Sequence, residues 1–68
     1  MESVYPVFDF MIKNGFVSIE DISRLLNLEY NVIVAKLSGE DDFDINEAMM
    51  INKNLLPDIP FEKLFSRD

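Results

Sequence analysis

The apolar residues of this chain recur mainly three and four positions apart, which is the spacing of one face of an α-helix. Glycines, prolines and short polar runs separate the apolar segments. No segment shows the sustained alternation of a half-buried strand, since the best candidate, 32–34, is only three residues long. The pattern predicts an all-α fold, a small bundle of four to five helices at about 3–14, 18–27, 30–38, 44–55 and 60–65.

Capping and stop residues set the expected ends of these helices. Three helix starts are marked by side chains that accept backbone hydrogen bonds: Ser3, Ser18 and Asp44. In the last two cases the third residue that follows is acidic, which completes the spacing of a capping box. Gly15 and Gly39 stand where a chain leaves a helix in the left-handed conformation, which glycine adopts without strain.

The second and third predicted helices are joined by a short link, Asn27 to Glu29. Such a link makes the third helix cross the second sharply, as in a helix-turn-helix motif. Ile33 and Leu37 lie one turn apart on the third helix and are expected to be buried. Residues 1–68 should form a single domain, because a chain of this length supports one thin core and no second one.

Composition limits how this domain is stabilised and where it acts. The chain is 49% hydrophobic but has no cysteine and no histidine, so neither a disulfide nor a Cys/His zinc site supports the core. Helix packing and self-association remain, and a homodimer is one expectation. The N-terminus lacks the basic flank and apolar core of a signal peptide, so a soluble cytoplasmic protein is expected.

The charge of the chain disfavours nucleic acid as a partner. Six basic residues against thirteen acidic ones give a formal net charge of −7. Nucleic-acid binding draws much of its affinity from Lys and Arg at phosphates, and this balance lacks that electrostatic footprint. A local basic face remains compatible with the composition.

Neither catalysis nor a cofactor is expected. The chain has no His or Cys to act as base or nucleophile, and no glycine-rich phosphate loop. The run Asp42-x-Asp44-x-Asn46 resembles the opening of an EF-hand calcium loop. However, Glu47 stands at the obligatory glycine of that loop and Lys53 at its bidentate glutamate, so no metal is expected.

Two stretches, KLSGEDDFDINEAMMI and the closing LPDIPFEKLF, carry a family pattern. They resemble the small Xre/Cro-type helix-turn-helix proteins of bacteriophages and Gram-positive bacteria. In that family the recognition helix ends in Lys-Leu-Asn-Gly, followed by a short loop, a Phe, a capping residue, Glu-Ala, an apolar helix and a terminal Leu-Phe. The positions that fit are Lys36, Leu37, Gly39, Phe43, Glu47, Ala48, Ile51, Leu64 and Phe65. The resemblance implies a regulator of transcription in a bacterial host cell.

This chain departs from the family where the family reads DNA. Polar residues at the start of the second helix and on the third helix read base edges there, whereas here the corresponding positions hold Ile19, Glu29, Tyr30, Asn31, Val32, Val34 and Ala35. Only Asn31 is an ordinary base reader, although Val or Ala can contact a thymine methyl. After Gly39, where the family places Lys or Arg near phosphates, the chain has Glu40, Asp41 and Asp42, which repel a phosphate backbone.

Two functions follow from these departures. In the first, the chain binds a protein, a phage repressor or another basic DNA-binding regulator, in the manner of an antirepressor or DNA mimic. The partner-binding residues would be Glu29, Tyr30, Asn31, Val32, Val34, Ala35, Glu40, Asp41 and Asp42. In the alternative, the chain is a Cro/Xre-type repressor that binds DNA itself, as a monomer or dimer. The DNA-contacting residues would then be Ile19, Tyr30, Asn31 and Lys36, with Lys13, Arg24 and Lys53 on further phosphates.

The third helix and the acidic run 40–42 can each be explained either by the fold alone or by a binding partner. The apolar positions cover most of the circumference of the third helix. Two explanations are open for Val32, Val34 and Ala35: they are partly buried by neighbouring helices or a dimer partner, or they form an exposed apolar patch for another protein. The acidic run 40–42 is either a solvated turn or a guide for docking.

Overall fold

The computed structural model of the chain describes residues 3–67. This part of the chain contains five α-helices and no strand, which confirms the all-α class and the predicted number of helices. The helices are α1 (Pro6–Lys13), α2 (Ile19–Leu26), α3 (Tyr30–Ser38), α4 (Ile45–Leu55) and α5 (Phe61–Leu64). Among these helices, none combines the length and the apolar character needed to cross a bilayer.

The start of α1 differs from the prediction, because Ser3 does not cap the helix. Tyr5 is the residue that precedes α1, and it makes no side-chain cap. Ser3 instead accepts a hydrogen bond from the Tyr5 N–H at 3.1 Å, and its own N–H donates to Asp9 at 3.0 Å. The helix begins at Pro6, where the missing N–H of proline leaves no hydrogen bond unmade. Pro60 precedes α5, so this helix begins at Phe61 and not at the predicted residue 60.

Both predicted capping boxes are present. At α2 the Asp21 N–H donates to Ser18 Oγ, and the Ser18 N–H donates to the Asp21 carboxylate, each at 3.0 Å. At α4 the Glu47 N–H donates to Asp44 at 2.8 Å and the Asp44 N–H donates to Glu47 at 3.0 Å. Each box satisfies two backbone donors and fixes the residue at which the helix starts.

We expect Ser18→Ala to lower the free energy of unfolding by about 1 kcal/mol, because the Asp21 N–H loses its acceptor. The hydrogen bonds from the backbone and side chain of Ser18 also hold the pKa of Asp21 below its ordinary value, and the substitution should raise it. Urea denaturation gives the first quantity and an NMR pH titration the second. Ser18→Thr keeps the hydroxyl and serves as the control, so an equal loss in both variants would contradict the capping role.

The core draws on all five helices. Its fully buried side chains are Phe8, Ile22, Ile33, Leu37, Ile51 and Leu64. The burial of Ile33 and Leu37 confirms the inward face predicted for α3. Phe8 packs with Tyr5, Phe43 and Phe65, and the ring centroids of these pairs lie between 5.6 and 6.4 Å apart. These rings join α1 and α5 to the loop that precedes α4.

The C-terminal end of α3 is closed by the segment that precedes α1. The Val4 N–H donates to the Leu37 carbonyl at 2.8 Å. Gly39 ends the helix with a φ of 94°, and a Cβ at this position would come within 3.0 Å of Val4 Cγ1. Glycine is therefore required at Gly39 both by its backbone angle and by the close approach of Val4.

Candidate interaction surface

The candidate interaction surface is the outer face of α3, opposite Ile33, together with Tyr30 at the exposed start of the helix. Ile33, Lys36 and Leu37 are buried, and they occupy one side of the helix at about 100° per residue. Tyr30 and Asn31 are exposed. The predicted contact residues of α3 therefore begin with an aromatic ring and an amide that reach solvent.

Three of the predicted contact residues of α3 are partly covered by the rest of the chain. Val32, Val34 and Ala35 are each half-buried. This placement agrees with the expectation that neighbouring helices partly cover them. On the basis of 100° per residue, Val34 and Ala35 flank Asn31 while Val32 lies on the far side, next to the buried arc. The apolar part of the candidate surface is therefore Tyr30, exposed at the first position of α3, and the accessible portions of Val34 and Ala35.

Lys36 is buried, with 9% of its surface exposed, and sequence reasoning missed this. Its Nζ lies 3.1 Å from Glu47 Oε1 and 3.6 Å from Asp41 Oδ2. The same ammonium donates a hydrogen bond to the Asp42 carbonyl at 3.0 Å. The prediction that Lys36 contacts DNA does not fit this position. Lys36 is the only cation of α3, and it is buried in ion pairs with Glu47 and Asp41 of the same chain.

The charge of Lys36 is retained in this environment. Burial by itself lowers the pKa of the ammonium, but hydrogen bonding and charge attraction from Glu47, with a further contribution from Asp41, more than offset it. The pKa of Lys36 consequently lies above its ordinary value of 10.5. Lys36 is therefore a cation at neutral pH, and it links α3 both to Glu47 of α4 and to the acidic loop formed by Glu40, Asp41 and Asp42.

The acidic loop is exposed but fixed in position. Glu40, Asp41 and Asp42 are all accessible to solvent. The Asp41 N–H donates to the Ala35 carbonyl at 3.1 Å, which continues the turn of α3 into the loop. The Asp42 side chain forms an ion pair with Arg67. The loop is therefore a structured turn that carries carboxylates beside α3.

Arg67 is a second residue of this region that no sequence signal identified. Its guanidinium lies 5.4 Å from the centroid of the Tyr5 ring, while it pairs with Asp42. Hydrogen bonding and charge interaction with Tyr5, followed by the attraction of Asp42, raise the pKa of Arg67 above its ordinary value. The guanidinium thus connects the C-terminal segment to the acidic loop and to the aromatic cluster, which consists of Tyr5, Phe8, Phe43 and Phe65.

Ile19, the base-contacting candidate of α2, is half-buried and lies near Tyr30. Together with Val17 and Glu20 the two side chains line a surface cavity of about 300 Å³. The structure therefore brings together the two candidates from the start of α2 and the start of α3.

The other cations predicted to contact phosphates belong to α1, α2 and α4. Lys13 pairs with Asp9 at 2.9 Å, and Arg24 lies 3.8 Å from Asp21. Lys53, the remaining phosphate candidate, lies in the last turn of α4. Comparison with protein-family models, with curated proteins and with solved structures finds no match to this chain. The resemblance to Xre/Cro-type proteins accordingly stays a prediction.

Proposed function

We propose that this chain is a helix-turn-helix regulator of transcription that acts by binding another protein through the outer face of α3. The observation that carries the proposal is the position of Lys36, which is buried against Glu47 and Asp41. Because Lys36 is buried, the exposed groups of this surface are Tyr30, the uncharged Asn31 and the carboxylates of the adjoining loop. A phosphate backbone needs exposed cations, which this face does not present.

The partner that this surface fits is a basic DNA-binding regulator, such as a phage repressor, in the cytoplasm of a bacterial host. Tyr30 supplies a large, rigid ring of the kind that anchors protein interfaces. Glu40 and Asp41, exposed at the other end of α3, attract a basic surface and orient it during docking. Occupying the DNA-facing side of such a regulator would block its binding to DNA.

The second candidate function, sequence-specific DNA binding by this chain, is favoured by one observation. Asn31 is exposed on the outer face of α3, and its amide can form the paired hydrogen bonds that read adenine. The two functions respond differently to salt. Binding to DNA through several phosphates weakens steeply as salt rises, whereas an apolar protein contact does not.

We expect Val34→Asp to weaken binding of the protein partner at least about 30-fold, because it places an uncompensated carboxylate in the apolar part of the contact. The matched control is Phe10→Asp, which makes the same apolar-to-acid change at a side chain of α1 that is 58% exposed. Circular dichroism verifies the fold of both variants. Affinity capture from the source organism with quantitative mass spectrometry identifies the partner, and titration of the purified partner gives the affinities.

The proposal requires a DNA-binding protein that is retained by the wild-type chain and by Phe10→Asp but lost by Val34→Asp. Retention by all three would remove α3 from the interface. A mobility-shift assay at low salt runs in parallel on the wild-type chain. A preferred DNA site whose affinity drops by about 1 to 3 kcal/mol in Asn31→Ala would establish the second function instead.

A further inference from the structure

The outward side of α4 is an apolar face without acidic side chains, in a chain that has thirteen acidic residues. Its exposed positions are Ile45, Asn46, Met49, Met50, Lys53 and Asn54. Ile45 is 62% exposed and the two methionines 41% each. The single acid of α4, Glu47, is half-buried and pairs with Lys36. Large exposed apolar side chains grouped in this way mark an interaction surface.

A groove runs along this face between α4 and α5. It has a volume of about 260 Å³, and the side chains of Ile45, Met49 and Phe61 provide its apolar lining. Its shape is fixed, because the Asn52 side chain donates to the Leu56 carbonyl at 2.9 Å and to the Ile59 carbonyl at 2.7 Å. These hydrogen bonds hold the link between the two helices, so the groove is present before anything binds.

We propose that this face binds a second copy of the chain, with the two α4 helices antiparallel about a two-fold axis at Met49. Ile45, Met49 and Lys53 are spaced by four residues, so each outer member lies about 6 Å along the helix from Met49. Antiparallel pairing consequently places Lys53 of one copy at the level of Ile45 of the other. The exposed Asp44 directly precedes that residue.

The charges of the two copies complement each other in this arrangement. Within residues 3–67, Lys53 has no ion-pair partner. Across the axis it meets Asp44 of the second copy, and symmetry makes this contact twice. Apart from Lys53, the exposed side chains of α4 between Ile45 and Asn54 carry no charge. The acidic groups that give each chain its net charge of −7 therefore do not face each other across the paired α4 helices.

The size of the domain also favours a second copy. A small chain buries a limited fraction of its surface and gains from association. An interface of standard size covers about 800 Å² of each copy. Such an interface would cover about a fifth of the 4393 Å² that the chain exposes, and we expect it to include the groove and part of α5 as well as α4. The proposal does not depend on the function proposed for α3, because dimerisation is measured on the chain alone.

Sedimentation equilibrium of the full chain over a range of concentrations tests this proposal. We expect a reversible dimer whose dissociation constant rises at least about 30-fold in Met49→Asp, because a carboxylate is then buried at the axis. Phe16→Asp makes the same kind of change at a ring that is 64% exposed elsewhere, and should leave the dimer unchanged. A chain that remains monomeric up to about 1 mM, or equal weakening by both variants, would overturn the proposal.

The antiparallel register has a separate test in the charges at its ends. Lys53→Glu should weaken dimerisation about tenfold, because two attractive contacts with Asp44 become repulsive. Asp44→Ser keeps a good helix cap and removes the carboxylate, so adding it to Lys53→Glu should recover most of the lost affinity. A double variant that is no tighter than Lys53→Glu alone would overturn this register.

Discussion

Replacing Phe8 with alanine is expected to lower the free energy of unfolding by about 4 kcal/mol, which is the range for removing a buried aromatic ring. Phe8 is fully buried, lies parallel to Phe43 at 6.4 Å and meets Phe65 edge-on at 5.6 Å. A domain of this size has a total stability of only about 3 to 10 kcal/mol. The variant should therefore be largely or wholly unfolded, and urea denaturation followed by circular dichroism measures the loss.

Phe16→Ala is the matched control for this substitution. It removes the same atoms from a ring that is mostly exposed, so the expected loss is below about 0.5 kcal/mol. Comparable losses at the two positions would show that Phe8 does not occupy the core. A full loss at Phe8 with none at Phe16 would confirm that the aromatic cluster joins α1 to the rest of the bundle.

Lys36→Met is expected to lower the free energy of unfolding by about 3 kcal/mol, even though methionine fills most of the space of the lysine stem. The substitution leaves the half-buried Glu47 carboxylate without its cation and the Asp42 carbonyl without its donor. Removing one member of a buried pair costs more than the pair contributes, because the remaining charge stays partly desolvated. Chemical denaturation at neutral pH provides the measurement.

Two variants isolate the contribution of the ion pair. Adding Glu47→Gln to Lys36→Met should recover about 1 kcal/mol, because the amide oxygen still accepts the Asp44 N–H while the stranded charge is gone. Lys63→Met, at an exposed lysine of α5, should change stability by less than about 0.5 kcal/mol. A Lys36→Met chain as stable as the Lys63→Met chain would mean that Lys36 contributes no more than a surface lysine.

The raised pKa of Lys36 predicts that the wild-type chain and Lys36→Met differ in stability at alkaline pH. Because the pKa of Lys36 is higher in the folded chain than its ordinary value of 10.5, the folded state binds this proton more tightly than the unfolded state. The resulting stabilisation is complete below about pH 10.5 and is lost as the pH rises through the folded pKa. Above that pH the wild-type chain should lose stability more steeply than Lys36→Met, as chemical denaturation at a series of alkaline pH values would measure.

The sequence predicted most of the fold because its local signals agree with one another. The capping boxes that begin at Ser18 and Asp44 each join a polar cap to an acid three residues later, and both helices start where this spacing places them. The prediction that Ser3 caps the first helix was wrong. The position three residues after Ser3 holds Pro6 and not an acid, so a capping box cannot form there. Proline is common at the first position of a helix, and α1 begins at Pro6, so the sequence contained the signal for this start although the prediction relied on Ser3.

The interior of the candidate site was not predictable in the same way. Lys36 and Glu47 belong to different helices, and the contact between them depends on how α3 and α4 meet. Arg67 and Asp42 are 25 residues apart, so no local pattern connects them. Helical periodicity assigns residues to faces, whereas ion pairs across helices follow from tertiary packing. The exposure of Asn31 was accessible to sequence reasoning because this residue lies about 160° around the helix from the buried Ile33. Tyr30 lies only about 60° from Ile33, so periodicity alone did not predict its exposure.

The shielding of Lys36 also decides where a chemical label attaches to this chain. Since there is no cysteine, acylation of lysine amines is the direct route for adding a fluorophore or a tether. That reaction needs an accessible, deprotonated amine, and the Lys36 ammonium is buried and holds its proton. The dye will attach preferentially to exposed lysines such as Lys13 and Lys63, so a fluorescent form of the protein keeps the ion pairs of Lys36 with Glu47 and Asp41.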